Sequence, residues 1–258
     1  MIENGPGPRQ VRSGPGEDRS FPRGLLPSRR HKMARIMSLP LTILFAYALG
    51  CVSFAALVAR LHGVDIRQHG SGNPGATNVG RVVGKPWGIL VLLLDVAKGW
   101  LPVFLVAPGA GLTLPPLAVD TDGASLVLLA AVLGHVCPVT AGFRGGKGVA
   151  TLLGGCLALD PLLALIGVLT HLLAKFCLGF VSLASLLLVW AIPTAQLLSA
   201  WWMGGADHTG SPASGGAGVM ALLALLVTWR HRDNLARIRA GTEDRYDDPE
   251  TPEQVRKA

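Results

Sequence analysis

The composition of this chain indicates a membrane protein and argues against a water-soluble globular domain. Half of its 258 residues are hydrophobic and only 15% are charged, and the mean hydropathy is positive at +0.45. Its 23 lysines and arginines exceed its 16 aspartates and glutamates, giving a net charge of +7. Because such an excess in a membrane protein usually lies on cytoplasmic loops, anionic headgroups and phosphate substrates are the expected partners and nucleic acid is not.

Residues 1–36 are predicted to form a disordered basic tail. They are rich in Gly, Pro and Arg and lack apolar periodicity, so burial cannot offset the entropy of ordering them. Met33 and Met37 directly precede the first apolar block, so translation from an upstream start is one interpretation of the tail. A lipoprotein signal peptide ending at Cys51 is another interpretation of this region, but the apolar run continues to Ala59, which favours an uncleaved span.

An all-α polytopic membrane domain is predicted over residues 37–240, followed by a polar C-terminal tail at 241–258. The expected spans lie at about 39–60, 87–107, 124–140, 149–160, 161–178, 182–203 and 217–230. The fourth is too short to cross alone, because a spanning helix needs about 20 residues. Asp160-Pro161 interrupts a stretch too long for one helix, so two short or tilted helices are expected there.

The charge distribution predicts an external N-terminus and a cytoplasmic C-terminus. The joints at 60–86, 141–148 and 230–240 are rich in arginine and lysine, whereas those at 108–123 and 204–216 contain neither. The positive-inside rule therefore assigns the first three joints to the cytoplasm and the other two to the outside.

The first cytoplasmic joint contains the sequence GSGNPGATNVGR at residues 70–81. Glycines allow backbone N–H groups to converge on an anion. Ser71, Asn73 and Asn78 add neutral donors, and Arg81 supplies a planar fork suited to phosphate or carboxylate. A flexible turn is the alternative interpretation.

The second cytoplasmic joint contains GHVCP at 134–138 and GFRGGKG at 142–148. Three glycines around Lys147 at the start of a span are typical of an anion cradle. The segment is not a nucleotide-binding Walker A loop, because Ala141 and Gly148 replace the required glycine and hydroxyl residue. A basic turn that contacts lipid headgroups is the alternative.

Two pairs of residues at helical spacing also carry polar groups into the spans. Asp95 and Lys98 would each cost about 3 kcal/mol alone at the centre of a membrane helix. As i, i+3 neighbours they can neutralise each other, so a structural pair is predicted and substrate contact is the alternative. Ser182 and Ser185 lie on one face at a helix start, where backbone N–H groups also favour an anion.

The sequence RHRDN at residues 230–234 follows the last span, and its His231 and Asn234 share a helix face. A solvated basic helix end is the alternative interpretation of this motif. His135 is expected to support the site from behind, and the spacing of the cysteines and histidines predicts no metal site.

Together these motifs resemble the PlsY-type acyl-phosphate:glycerol-3-phosphate acyltransferases of bacteria over about residues 37–245. The matching signatures are GSGNPGATNVGR, GHVCPVTAGFRGGKGVAT, SLAS at 182–185 and RHRDN, in the same order and spacing. The differences are Cys137, where the family usually has an aromatic residue, and a long external loop at 204–216.

The resemblance implies a seven-helix enzyme of the bacterial plasma (inner) membrane with its active site facing the cytoplasm. It would transfer an acyl chain from acyl phosphate to the 1-hydroxyl of glycerol 3-phosphate, giving 1-acylglycerol 3-phosphate and phosphate. This is the first committed step of phospholipid synthesis. The expected enzyme is a monomer that needs no cofactor.

The motifs and the resemblance together assign the site residues. The catalytic residues are expected to be Ser71, Arg81, Lys147, Ser182, His231 and Asn234. The substrate-binding residues are expected to be Gly72, Asn73, Gly75, Asn78, His135, Gly145, Gly146, Gly148 and Ser185. Because the donor is already activated, neutralising charge and aligning the reactants can carry the rate.

The HxxxxD motif of other glycerolipid acyltransferases is missing, since Thr140 stands five residues after His135. A base-free attack, in which a phosphate oxygen accepts the hydroxyl proton, is therefore the expected mechanism. A transporter for a phosphorylated solute and a lipid-binding scaffold are the rival functions, although no inverted repeat supports the transporter.

Overall fold

The computed structural model describes residues 29–107, 121–204 and 214–245, and within these ranges every regular element is a helix. Side chains are described from residue 39 in the first range and from residue 216 in the last. The helices are α1 (Arg29–Gly50), α2 (Phe54–Leu61), α3 (Ala76–Val82), α4 (Lys85–Phe104), α5 (Thr121–Val136), α6 (Val149–Leu159), α7 (Pro161–Leu178), α8 (Val181–Trp202), α9 (Ser214–Arg230) and α10 (Arg232–Arg239), with a 3₁₀ turn at Val139–Ala141.

Five helical segments in the described ranges are long and apolar enough to cross a membrane, which confirms the all-helical membrane class. They are Leu39–Leu61, Lys85–Phe104, Thr121–Ala141, Pro161–Leu178 and Val181–Trp202. The other two expected spans are shorter apolar helices, Val149–Leu159 and Gly216–Arg230.

The ends of the chain only partly fall within the described ranges. Helix α1 begins at Arg29, inside the predicted tail, and residues 1–28 lie outside the described part. The two joints expected on the external side of the membrane are 108–123 and 204–216. Residues 108–120 and 205–213 of these joints are not among the described residues. In the C-terminal tail, residues 241–245 are described.

The outer faces of the helices are apolar, as expected of surfaces in contact with lipid chains. Leu93 and Leu173 are 60% and 66% exposed, and Phe176 is 90% exposed. A water-soluble protein rarely exposes contiguous apolar patches of this kind. The core lies between the helices and consists mainly of small and branched residues such as Ala131, Val132 and Leu128.

The first long span is broken between α1 and α2, and polar side chains from other helices compensate for the break. Within the bilayer an unpaired backbone carbonyl costs several kcal/mol. Lys98 Nζ donates to the carbonyl of Val52 at 2.9 Å, and Thr140 Oγ1 donates to that of Cys51 at 3.2 Å. The Ser53 hydroxyl caps α2 by accepting from Ala56 N–H at 3.3 Å.

The predicted break at Asp160-Pro161 is confirmed. Helix α6 ends at Leu159, and Asp160 caps α7 by accepting hydrogen bonds from the N–H groups of Leu162 and Leu163. Pro161 occupies the first position of α7, where its missing N–H costs nothing. Two short helices therefore replace one helix that would be too long for the bilayer.

Helices α4 and α6 cross at very short range, and glycines make this possible. A Cβ added to Gly154 would collide with the carbonyl of Val96, and one added to Gly99 would collide with that of Thr151. Small residues at such crossings are typical of membrane helix packing, because they let backbones approach. This crossing fixes the start of α6, and with it Lys147, relative to α4.

We expect Gly154→Ala to destabilise the protein by about 1–3 kcal/mol, because the methyl group meets rigid backbone and the helices must separate. Thermal unfolding in detergent measures the effect. Gly218→Ala in α9 is the matched control, since its Cβ would have no neighbour within 4 Å. That control should be neutral or slightly stabilising, because alanine is the better helix former. Equal unfolding temperatures for the two variants would contradict the packing argument.

Candidate active site

The first glycine-rich loop, residues 70–75, is held in shape by Asn78 of α3. Its Oδ1 accepts from the Ser71 N–H at 2.9 Å, and its Nδ2 donates to the carbonyls of Ile66 and His69 at 3.2 and 3.0 Å. Asn78 is only 1% exposed. These contacts make Asn78 an organiser of the loop and leave Ser71 exposed at its surface.

The second glycine-rich loop, residues 142–148, folds back onto the end of α5. The N–H of Gly145 donates to the carbonyl of Val136 at 3.1 Å, and that of Gly146 donates to the carbonyl of His135 at 3.0 Å. A Cβ on Gly146 would collide with the His135 imidazole. The N–H groups of these two glycines are thus already engaged, and their role in this structure is close packing.

Gly148 ends the loop and is the N-cap residue of α6. Its φ of +90° lies in the left-handed region, which L-residues other than glycine rarely adopt. The first N–H groups of α6, beginning with Val149, have no helical partners and carry the positive end of the helix dipole. An anion is therefore favoured beside Lys147, where the loop meets the helix.

Arg230, the last residue of α9, also holds this loop, through two hydrogen bonds. Its Nη2 donates to the carbonyl of Gly145 at 2.8 Å and its Nε donates to that of Gly146 at 3.2 Å. The planar guanidinium suits such a paired contact, which a lysine cannot reproduce. Arg230 thereby fixes the peptide bonds that lead into Lys147.

The C-terminal segment 241–245 turns back onto α10 and brings the Glu243 carboxylate into the basic region. Asn234 Nδ2 donates to Glu243 Oε1 at 2.5 Å, and Arg237 Nε lies 2.8 Å from Oε2. Burial alone would raise the pKa of Glu243, but Asn234, Ser182 and Arg237 stabilise its charged form more strongly and lower the pKa. Glu243 is therefore an anion held among site residues.

Asp244, the residue after Glu243, forms an ion pair with Arg81. Arg81 Nη1 lies 2.6 Å from Asp244 Oδ2, and the two residues are 163 positions apart in sequence. The pair is accessible, with 28% of the Arg81 side chain and 65% of the Asp244 side chain exposed. This contact joins α3, which follows the first glycine-rich loop, to the C-terminal segment.

Lys147 lies at the centre of these charges. Burial lowers the pKa of its amino group to about 8, Glu243 raises it, and Arg237, Arg230 and Arg81 lower it further. The ammonium is therefore mostly charged at pH 7 and surrounded by other cations. A dianion placed here would relieve repulsion among them.

His231 directly precedes α10 and is buried beside this cluster, with an exposure of 2%. Its Nδ1 donates to the Val227 carbonyl at 2.8 Å, because a carbonyl can only accept, so Nε2 carries the free lone pair. Burial lowers the pKa of His231 to about 4, and Lys147 adds to this effect. The ring is thus a neutral hydrogen-bond acceptor at physiological pH.

The two serines of α8 are both buried, Ser182 at 5% exposure and Ser185 at 7%. Ser182 is near enough to Glu243 to favour its charged form. Yet its hydroxyl makes no hydrogen bond of good geometry to any residue in the described ranges. Ser182 is therefore a buried hydroxyl beside the Glu243 carboxylate.

Asp95 and Lys98 form the buried ion pair that the sequence predicted. Lys98 Nζ lies 2.8 Å from Asp95 Oδ1, and His135 Nδ1 lies 3.7 Å from the same oxygen. A small pocket is lined by these three residues and by Arg67 and Arg144. The pair therefore links the α1–α2 break to the back of the second glycine-rich loop.

The structure thus brings five of the six expected catalytic residues to one charged cluster, which we call the basic cluster: Arg81, Lys147, Ser182, His231 and Asn234. Ser71 belongs to the loop that leads to Arg81, without a described contact to the other five. Among the expected binding residues, Asn73 and Gly75 pack against each other in that loop, which also contains Gly72.

Comparison with known proteins identifies the family of this chain. A family model described as glycerol-3-phosphate acyltransferase matches residues 40–241. This chain belongs to the glycerol-3-phosphate acyltransferase family. The glycerol-3-phosphate acyltransferase of Albidiferax ferrireducens is 41% identical over 206 residues, covering 78% of this chain and 86% of that protein. The enzyme of Aquifex aeolicus is 39% identical over 204 residues, covering 79% of this chain and 97% of that protein.

The fold is also similar to a solved structure of PlsY (YgiH), an integral membrane glycerol 3-phosphate acyltransferase, in its glycerol 3-phosphate form. The TM-score is 0.69 at 36% identity, covering 81% of this chain and 96% of that one. Its lysophosphatidic acid form matches with a TM-score of 0.67 at 35% identity, covering 81% and 95%. Membership of the acyltransferase family therefore rests on sequence and fold together.

The sequence alone did not predict several residues that contribute to the basic cluster. The sequence presents Arg230 only as part of a basic motif and Glu243 and Asp244 only as part of a polar tail, whereas the structure gives all three contacts in the cluster. The signal for Arg230 was its position directly before His231. For the two acidic residues the only signal in the sequence is their negative charge, which is opposite to the positive charge of the predicted site.

We expect Arg230→Lys to lower acyl transfer at least about tenfold, because lysine cannot hold two carbonyls in a fixed plane and Lys147 is then misplaced. Initial rates on purified protein measure the effect. Arg232→Lys is the matched control, since Arg232 is 53% exposed and pairs with Asp233 outside the cluster. Similar rates for both variants would rule out this role of Arg230.

Proposed function

We propose that this chain transfers an acyl group from acyl phosphate to the 1-hydroxyl of glycerol 3-phosphate, giving 1-acylglycerol 3-phosphate and inorganic phosphate. The observation that carries the proposal is the basic cluster itself. Groups from four separate stretches of sequence meet around two carboxylates. Such a site favours reactants that bring negative charge, as acyl phosphate and glycerol 3-phosphate both do.

In this proposal the cations hold the phosphates and the neutral groups hold the glycerol. Arg81 offers a guanidinium that can bind a phosphate oxygen pair, and Lys147 offers a point charge at the start of α6. His231 Nε2 accepts a hydrogen bond from a glycerol hydroxyl, which Ser182 and Asn234 help to align. Ser71 extends the site along the first loop.

The nine proposed binding residues act mainly through the two loops. Asn78, His135 and Gly146 keep the loops in shape, as their contacts indicate. Gly148 sets the direction of the first turn of α6. Gly72, Asn73, Gly75, Gly145 and Ser185 complete the proposed set.

The proposed reaction needs no protein base. The 1-hydroxyl oxygen of glycerol 3-phosphate bonds to the acyl carbonyl carbon, and the bond from that carbon to the phosphate oxygen breaks. The hydroxyl proton passes to a phosphate oxygen, and phosphate leaves. A low pKa makes His231 a poor proton acceptor but a suitable orienting group, which agrees with this route.

We further propose that the seven apolar segments place the N-terminus outside and the basic cluster at the cytoplasmic face of a bacterial plasma membrane. The basic residues of the cluster lie on joints that the positive-inside rule assigns to the cytoplasm. Glycerol 3-phosphate would then enter from the cytosol, while the acyl chain of the donor lies in the bilayer. The working unit in this proposal is the monomer.

Purified protein supplied with acyl phosphate and labelled glycerol 3-phosphate is expected to form labelled lysophosphatidic acid. Lys147→Ala should lower kcat/KM at least about a hundredfold, because the phosphates lose their central cation. Lys85→Ala, at the exposed start of α4, is the control and should keep near-normal activity. Uptake of glycerol 3-phosphate into vesicles without product would favour a transporter, and normal turnover by Lys147→Ala would refute the assigned role.

The pKa of Lys147 predicts how activity depends on pH. Because its amino group loses its proton as the pH rises through about 8, kcat/KM should fall above that pH by up to about tenfold per unit. His231, with a pKa of about 4, should contribute no change between pH 6 and 8. A kcat/KM profile at fixed ionic strength measures both. Constant activity from pH 7.5 to 9.5 would contradict a required Lys147 ammonium.

A further inference from the structure

The C-terminal segment places two carboxylates in the basic cluster, and they differ in how firmly they are held. Glu243 has 9% of its side chain exposed and is bound by Asn234 and Arg237. Asp244 has 65% of its side chain exposed and meets Arg81 through one contact, at 2.6 Å. Glu243 is thus a fixed part of the cluster, whereas Asp244 can be displaced.

The partner of Asp244 is the residue that our proposed function assigns to phosphate. A carboxylate and a phosphate make the same kind of contact with a guanidinium, so a phosphate that binds the edge of Arg81 containing Nη1 competes with the like-charged Asp244 for that edge. The phosphate carries about two negative charges and is attracted by Lys147 as well. It should therefore displace a single exposed carboxylate.

The geometry points to Asp244 as an internal competitor for the reactant phosphate at Arg81, and hence as a residue that sets KM. The inference rests on the proposed function. In the empty enzyme the carboxylate neutralises Arg81. When a phosphate binds, Asp244 moves out to solvent while Glu243 keeps the segment attached.

The expected size of the effect follows from the exposure of the pair. An accessible ion pair changes an equilibrium constant by a factor of about 1.5 to 5. Removing the competitor should strengthen phosphate binding by that factor and leave the chemical step unchanged. A residue with a purely structural role would instead alter stability or kcat.

The decisive variant is Asp244→Asn, which keeps the shape of the side chain and removes its charge. Asp233→Asn is the matched control, because Asp233 is 72% exposed on α10, pairs with Arg232 and changes the net charge equally. Asp244→Glu keeps the competing charge. For each protein, KM is measured separately for glycerol 3-phosphate and acyl phosphate, together with kcat and the unfolding temperature.

Binding of inorganic phosphate, measured by calorimetry on the purified protein in detergent, provides a readout that does not depend on turnover. We expect Asp244→Asn to lower the Kd of inorganic phosphate and the KM of one reactant about 1.5- to 5-fold, with kcat unchanged. The reactant whose KM falls is the one whose phosphate binds Arg81. Asp233→Asn and Asp244→Glu should stay near the wild-type values.

Unchanged phosphate affinity in Asp244→Asn would overturn the inference, as would an equal gain in Asp233→Asn, which would mean a general charge effect. A fall in kcat or unfolding temperature without stronger phosphate binding would assign Asp244 a structural role instead. The proposed function fails separately, if the wild type makes no lysophosphatidic acid from acyl phosphate. In that case the phosphate titration still tests Asp244.

Discussion

The site depends on one electrostatic constraint: several cations must stay close together where membrane helices meet. Arg81, Arg230 and Arg237 all lie near enough to Lys147 to lower the pKa of its amino group. Their mutual repulsion is balanced by the carboxylates of the C-terminal segment and by carbonyl groups that accept from Arg230. A cluster held in this way is only partly neutralised, and the remaining positive charge makes it receptive to phosphate.

The membrane fold supplies the rigidity that this arrangement needs. Helices α4 and α6 approach each other at glycines, so the start of α6 cannot shift without separating the pair. The break between α1 and α2 frees carbonyl groups that Lys98 and Thr140 satisfy, and the same Lys98 pairs with Asp95 beside His135. The polar groups inside the helical bundle therefore support the second glycine-rich loop, which contains Lys147, through His135.

The second glycine-rich loop shows how a correct motif can have a different local meaning. Three glycines beside a lysine predict N–H groups that surround an anion. In the fold, two of these N–H groups bind the last carbonyls of α5, and Gly146 leaves room for the His135 ring. The glycines act largely by letting the loop fold tightly, so that charge comes from Lys147 and from the first turn of α6.

The sequence alone determined the helical class, the apolar segments, the break at Asp160-Pro161 and five of the residues that meet in the basic cluster. These features are local, because hydropathy, proline and motif spacing act within about 20 residues. Tertiary structure decided which residues meet. Arg230 donates to glycine carbonyls, and Glu243 contacts Asn234 and Arg237. Asp244 contacts Arg81, which lies 163 residues away in sequence. The amino-acid sequence specifies charge and residue type directly, but the packing of the helices sets the distances between side chains that are remote in sequence.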